Sequence, residues 1–387
     1  MRTTLKGILI GAALLVLTGQ AFAYPPDNAA VLYYKAFMIM EDQNAADVNL
    51  LGQLRKGEIS VNDRIRHLLE SNSKAIKEIV TATQIKNCDW GLDTSEGLAT
   101  CLPHLSKFRS CAKLLAADGA AFAEKGDYKT ALERWLALFE MNRHMGEDTL
   151  VTRLVGSACE SMAFDCIRGV LPKISNDCEI LERLRGRLAD ISTRCPSMRA
   201  AIGNDAAVWS NSLNREGILD VVHNSDLSRE DQNKAELVLR QRDNNDFYVR
   251  VVEYYKQVVS RMQIAYELPF PEAKQKLEDI CVEVKNAAKD KPEAVITEVL
   301  HPAVNRVLMI DARNKTQFNA VLAGIEIYII KAKTGKLPDE LPAGLPKDMF
   351  SGKDFLYEKT DAGFTLTGQG KDLDKDIVQK YEFKVAK

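Results

Sequence analysis

"LPKDMFSGKDFLYEKTDAGFTLTGQGKDLDKD", residues 345–376, differs in texture from everything before it. Upstream, apolar residues recur at spacings of three and four, as α-helices require; here they alternate with polar residues between glycines, as short strands require. The preceding segment, "NAVLAGIEIYIIKAKTGKLPDELP" (319–342), reads as a helix stopped by Gly335 and Pro338. Beyond it, "FLYEK" and "FTLTG" are expected as strands joined by "TDAG", and "KYEFKV" alternates Tyr381, Phe383 and Val385 against Glu382 and Lys384. A helix can bury the apolar face of such a sheet. The expected fold class is therefore mainly α: an irregular helical bundle or hairpin array, followed by a small C-terminal α+β domain of one helix plus an antiparallel sheet.

Working back from that ending, "SVNDRIRHLLESNSKAIKEIVTAT" (60–83) reads as one helix with Ser60 as its cap. Ile65, Leu68, Leu69, Ala75, Ile76, Ile79 and Val80 fall on one face, which needs a partner. Further helices are expected at about 28–41, 101–124, 128–145, 149–171, 176–191, 196–215, 229–242, 246–267, 271–288 and 303–333, with prolines and glycines mostly between them. The expected division is a helical domain over 24–302 and an α+β domain over 303–387.

At the amino terminus, "MRTTLKGILIGAALLVLTGQAFA" combines Arg2 and Lys6, a short apolar run and Ala21-Phe22-Ala23. That is the pattern of a signal peptide, 1–23, cleaved after Ala23, and it implies export to a periplasm or the medium. The run falls short of the roughly 20 apolar residues of a spanning helix, and no later stretch is expected to cross a membrane. Loss of Arg2 and Lys6 takes the formal charge from −2 to −4, spread over both signs. Such balance gives no electrostatic case for nucleic acid as a partner.

Eight cysteines follow, and an even count in an exported chain makes disulfides reasonable. Geometry prunes them. Seven helical residues place Cys159 and Cys166 roughly 10 Å apart, beyond the roughly 7 Å Cα limit for a bridge. Cys88 with Cys101, and Cys111 with Cys159 between neighbouring helices, remain open, as does the alternative that several are free, buried thiols. No C-x-x-C motif supports a redox centre or a zinc ribbon.

Two family resemblances attach to particular residues. Residues 115–142, with Gly119, Phe122, Ala131 and Trp135 around the turn "GDY", resemble a single tetratricopeptide-like helical hairpin, in which small residues let two helices approach and aromatics fill the space between. No second copy recurs at a fixed period, so one hairpin within an irregular bundle is expected. The ending, through "IEIYIIKAKTGKLPDEL", "LPKDMFSGKDFLY" and "GFTLTGQGKDLDKD", resembles the globular part of the type II secretion major pseudopilin. That family carries an Asp-Pro-aromatic-Gly segment, where Met349 here follows Asp348, then a hairpin and an acidic loop that can bind calcium. The resemblance implies a calcium (Ca²⁺) site at Asp372, Asp374 and Asp376; alternating carboxylates supply the hard oxygen ligands this ion takes. The signal peptide, "DNAAVLYYKAF", "CDWGLD" and this ending together also resemble an uncharacterised exported bacterial protein family.

Chemistry-bearing motifs are sparse. Glu140 and His144 stand one helical turn apart and would need two more ligands, such as Glu160 or Asp165, to hold a metal; an ion pair or hydrogen bond is the simpler reading. No G-x-S-x-G elbow, Walker loop or dinucleotide fingerprint is present. "CDWGLD" reads as a structured turn whose Trp90 docks on the bundle. The expected function is that of an exported non-catalytic scaffold binding a protein or envelope component. The alternative is an extracellular or periplasmic hydrolase using carboxylates gathered between helices.

Overall fold

The computed structural model describes residues 27–385 apart from 96, 98–99, 225–228 and 301–302. The expected signal peptide lies outside the described residues, as does His301. The chain is mainly α-helical and ends in a three-stranded antiparallel sheet, as its periodicities require.

Helices α1 (Ala29–Ile39) and α2 (Ala45–Arg55) lead, the second entered through a reciprocal capping box between Asn44 and Asp47. The helix expected over 60–83 is two, α3 (Asp63–Ser71) and α4 (Ser73–Ala82). The break has a visible cause: the Asn72 amide donates to the Leu68 carbonyl at 2.9 Å, while its oxygen accepts from the Glu41 amide at 3.0 Å. A side chain that competes for backbone partners in this way interrupts the helical ladder. The cap is Asn62 rather than Ser60, its oxygen 2.9 Å from the Ile65 amide.

Helices α5 (His104–Glu124), α6 (Tyr128–Met145), α7 (Leu150–Ile174) and α8 (Cys178–Ser192) follow through short turns; α5, α6 and α7 pack on one another, and α8 returns to pack on α6. Gly119 lets α5 and α6 close: a Cβ there would sit 2.5 Å from Trp135 Nε1, which donates to the Ala116 carbonyl at 3.1 Å. A second group comprises α9 (Met198–Ser212), α10 (Arg215–Asn224), α11 (Arg229–Leu239), α12 (Asn245–Ala265), α13 (Phe270–Ala287) and α14 (Pro292–Leu300). Across the whole chain, three of the described helices, α2, α10 and α14, were not expected from the sequence. Helix α2 buries only Asp47, Leu51 and Leu54 and contains Gly52; α10 restarts two residues after α9; α14 is rich in β-branched residues.

The last helix, α15 (Ala303–Thr334), has 32 residues, a length of about 48 Å. It runs through both hydrophobic cores. Val304, Leu308, Met309 and Ala312 join the core of α9–α14, whereas Ala320 through Ile329 join the core of α1–α8. Strands β1 (Leu356–Thr360), β2 (Gly363–Asp372) and β3 (Ile377–Lys384) form a sheet in sequence order. Phe355, Phe364, Leu366, Tyr381 and Phe383 fasten it onto the first core, and Phe383 stacks on Phe364 at 4.9 Å. Hydrophobic packing thus crosses the division expected at 302/303: the sheet shares its core with the N-terminal helices.

All eight cysteines are free thiols, so the expected disulfides are not formed. Cys111, Cys159 and Cys166 are buried as small apolar groups, and Cys111 Sγ contacts Met40 Sδ at 3.8 Å. Burial pushes all three thiols up to about 12.

Candidate functional site

Between its two apolar halves, α15 carries the polar run "DARNKTQ", residues 311–317. Its side chains reach several different parts of the fold. Asp311 accepts from Tyr266 Oη at 2.6 Å and lies 2.8 Å from Lys315 Nζ. Arg313 grips Asp372 through Nε at 2.6 Å and Nη2 at 2.9 Å. Asn314 donates to the Ser157 carbonyl at 3.1 Å, and Gln317 to Asp165 Oδ1 at 2.9 Å. Thr316 donates to Asp348 Oδ1 at 3.4 Å and accepts from the Met349 amide at 3.2 Å. Met349 stands where the pseudopilin pattern has proline, and a proline there would have no N–H to give.

Asp348 is fully buried and organises the turn before the sheet. Its carboxylate accepts from the amides of Phe350, Gln369 and Gly370 at 3.1, 2.9 and 2.8 Å, and from Ser351 Oγ at 2.7 Å. A buried carboxylate is tolerated when its lone pairs are met in this way. The same turn sends Phe350 into the second core, edge-on to Phe270 at 4.9 Å.

Beside this seam lies a buried ionic cluster that the sequence mentioned only as Glu160, a possible accessory ligand. Arg153 Nη1 donates to Asn142 Oδ1 at 2.8 Å and Ser157 Oγ at 2.9 Å, and its Nη2 lies 4.0 Å from Glu160 Oε2. Cys195 Sγ donates to Glu160 Oε1 at 3.9 Å. Glu160 is 7% exposed. Burial pushes its carboxyl up to about 7, with Arg153 opposing the shift and Asp311 adding to it.

The carboxylates expected for calcium stand at the β2–β3 turn. Asp372 is fully buried with both oxygens taken by Arg313, and Gln379 Nε2 adds a bond at 3.0 Å. Burial alone would raise its pKa; the Arg313 hydrogen bonds and charge outweigh that and hold it below the ordinary carboxylate range. Asp374 lies 3.5 Å from Arg313 Nη2, and Asp376 pairs with Lys371 at 2.5 Å from a left-handed backbone, φ 57°. Among the described residues, no group of three or more His, Cys, Asp and Glu side chains is arranged to hold a metal ion.

Glu140 and His144 do not share one target. Glu140 pairs with Arg143 and Arg194 at 2.8 and 3.0 Å. His144 is buried, with Nδ1 2.8 Å from Tyr33 Oη and Nε2 within 2.9 Å of both the Ile85 carbonyl and the Arg143 guanidinium. Burial, then the Arg143 charge, lowers it to about 4. Trp90 docks on the bundle as expected, donating to the His144 carbonyl at 2.7 Å and stacking on His104 at 4.4 Å.

An open groove of about 930 Å³ lies between the helical body and the C-terminal sheet. The α2–α3 connection forms one wall and the outward face of β3 the other, with α5, α6 and α7 contributing the floor. Leu54, Trp135, Cys166 and Val170 supply buried apolar surface; Arg55, Lys56, Arg168, Lys173, Lys380 and Lys384 supply cations. The groove draws on residues from 54 to 384, a combination no local sequence signal marks. No helix among the described residues is long and apolar enough to cross a membrane. No protein-family model matches the chain, and neither any curated protein nor any solved structure matches it.

Proposed function

We propose that the protein is an exported, non-catalytic scaffold that binds another protein, or a component of the envelope, across the groove between its helical body and its C-terminal sheet. The observation that carries this reading is the groove's construction: walls from distant parts of the chain, brought together over α7, and an open, mixed apolar and charged lining. Recognition surfaces combine apolar and charged groups in this way. Export rests on the amino-terminal pattern of charge, apolar run and small residues.

The test is photo-cross-linking in the native envelope, with a photoreactive residue at exposed Lys56 or Glu58 on the groove and, as control, at exposed Val249 far along the chain. One defined adduct from the groove positions and none from Val249 is expected. Absence of adducts, or equal adducts from all three positions, overturns the reading.

A second reading, hydrolysis by carboxylates between helices, is favoured by Glu160, whose pKa of about 7 suits a proton-transfer group and whose charged neighbours include Asp311. Its burial and its contacts with Arg153 and Cys195 mean that a polymer would have to part the helices to reach it. Turnover of an extracellular polymer that Glu160→Gln abolishes would establish this reading over the first.

A further inference from the structure

The groove's charges are unequally matched. Of the ten ionisable Lys, Arg, Asp and Glu side chains that line it, six are cationic and four anionic. Arg55 and Arg168 share Asp165 at 3.4 and 3.5 Å, and Lys56 stands 3.6 Å from Glu58. Glu124 accepts the Val61 amide at 2.9 Å. What is left over is Lys173 at the end of α7, and Lys380 and Lys384 on β3, exposed and facing Glu382 alone among the acids of the groove.

We infer that this groove takes an acidic, extended segment of a partner protein, its carboxylates against Lys173, Lys380 and Lys384 and its apolar side chains on the floor. The inference deepens the protein-binding reading above and rests on it. Lys380 and Lys384 are four residues apart on one face of a strand, about 13 Å. An extended peptide has the same rise per residue and presents alternate side chains to one side, so acidic residues four apart match the two lysines. The partly exposed apolar groups of Ile59, Ala120 and Pro172 suit interleaved aliphatic side chains. Carboxylates of Glu58, Glu124 and Glu382 within the same lining repel a densely charged polyanion more than a peptide with spaced charges.

The experiment measures fluorescence anisotropy of a labelled peptide of alternating glutamate and leucine, titrated with the full chain. Saturable binding that weakens as salt is raised is expected, because exposed charges are screened. The combined variant Lys173→Glu, Lys380→Glu and Lys384→Glu should bind about tenfold more weakly or worse, with its melting temperature checked against the parent. A lysine–leucine peptide should not bind. Equal binding by the charge-reversed variant, equal binding of the basic peptide, or stronger binding of inorganic polyphosphate each overturns the inference. Groove cross-links that an excess of acidic peptide leaves undiminished also overturn it while the protein-binding reading stands; loss of the groove cross-links themselves counts against that reading instead.

Discussion

Arg313, in the middle of α15, and Asp372, at the end of β2, form a two-pronged pair at 2.6 and 2.9 Å with the carboxylate fully buried. Removing the guanidinium strands a charge in the interior. Arg313→Ala is therefore expected to destabilise the protein by about 3–5 kcal/mol, measured by urea unfolding. The Asp372 pKa is depressed in the folded state, so the pair's stabilisation is present above the unfolded value of 3.8 and lost as pH falls through the lower folded value. Acid unfolding of Arg313→Ala should lack that part of the pH dependence.

The same pair bears on calcium. With both Asp372 oxygens held by Arg313 and Asp376 held by Lys371, two of the turn's three carboxylates are already taken by cations. The expected result is a melting temperature equal in saturating calcium and in chelator; a rise that chelator reverses would show the turn binding the ion.

Glu160 supplies a prediction of opposite sign. Its folded-state pKa of about 7 lies above the ordinary 4.5, so the folded protein holds this proton more tightly than the unfolded chain. Its contribution is complete below about pH 4.5 and is lost as pH rises through about 7. Glu160→Gln removes the titration. The stability difference, variant minus parent, should grow as pH rises from 5 to 8, by up to about 3 kcal/mol, and a difference independent of pH would refute it.

His104 stacks on Trp90 with both ring nitrogens buried and unpartnered. His104→Phe keeps a ring on Trp90 and removes two unmet polar atoms, so it should raise stability by about 1 kcal/mol. Burial lowers this histidine to about 4, which makes the folded protein pay for acid: stability falls as pH drops from 6.5 toward 4. The variant should lose part of that slope in melting experiments over the same range.

Gly324 faces Phe383, and an added Cβ would lie 2.4 Å from the ring. Phe383 is stacked on Phe364 and has little room to yield. Gly324→Ala should destabilise by about 1–3 kcal/mol, and Phe383→Leu should recover part of that loss in the double variant. Equal, additive losses would mean that the two positions do not meet.

Much of this architecture was legible in local order. The repeat of Ile65, Leu68, Ala75, Ile76 and Ile79 marked one buried face even though Asn72 divides the helix that carries it. Gly119 and Trp135 marked a close helical hairpin, and the alternation of Tyr381 and Phe383 marked the inward side of β3. Helix α14 escaped because β-branched residues favour strands until neighbouring helices bury them. The buried surroundings of Glu160 and the groove escaped for a different reason. Glu160 is perturbed by Arg153, Cys195 and Asp311, and Lys380 shares the groove with Arg55, so each property depends on chain segments far apart.

By itself, the sequence determined most of the helices and the change to strands at the end, because the 3.6-residue and two-residue periods are properties of neighbouring side chains. Only the tertiary structure decided that α15 joins two cores, that the sheet closes on the N-terminal helices, and which charges are matched. Burial and electrostatic pairing depend on distance in space, and the spacing of residues along a chain does not fix that distance.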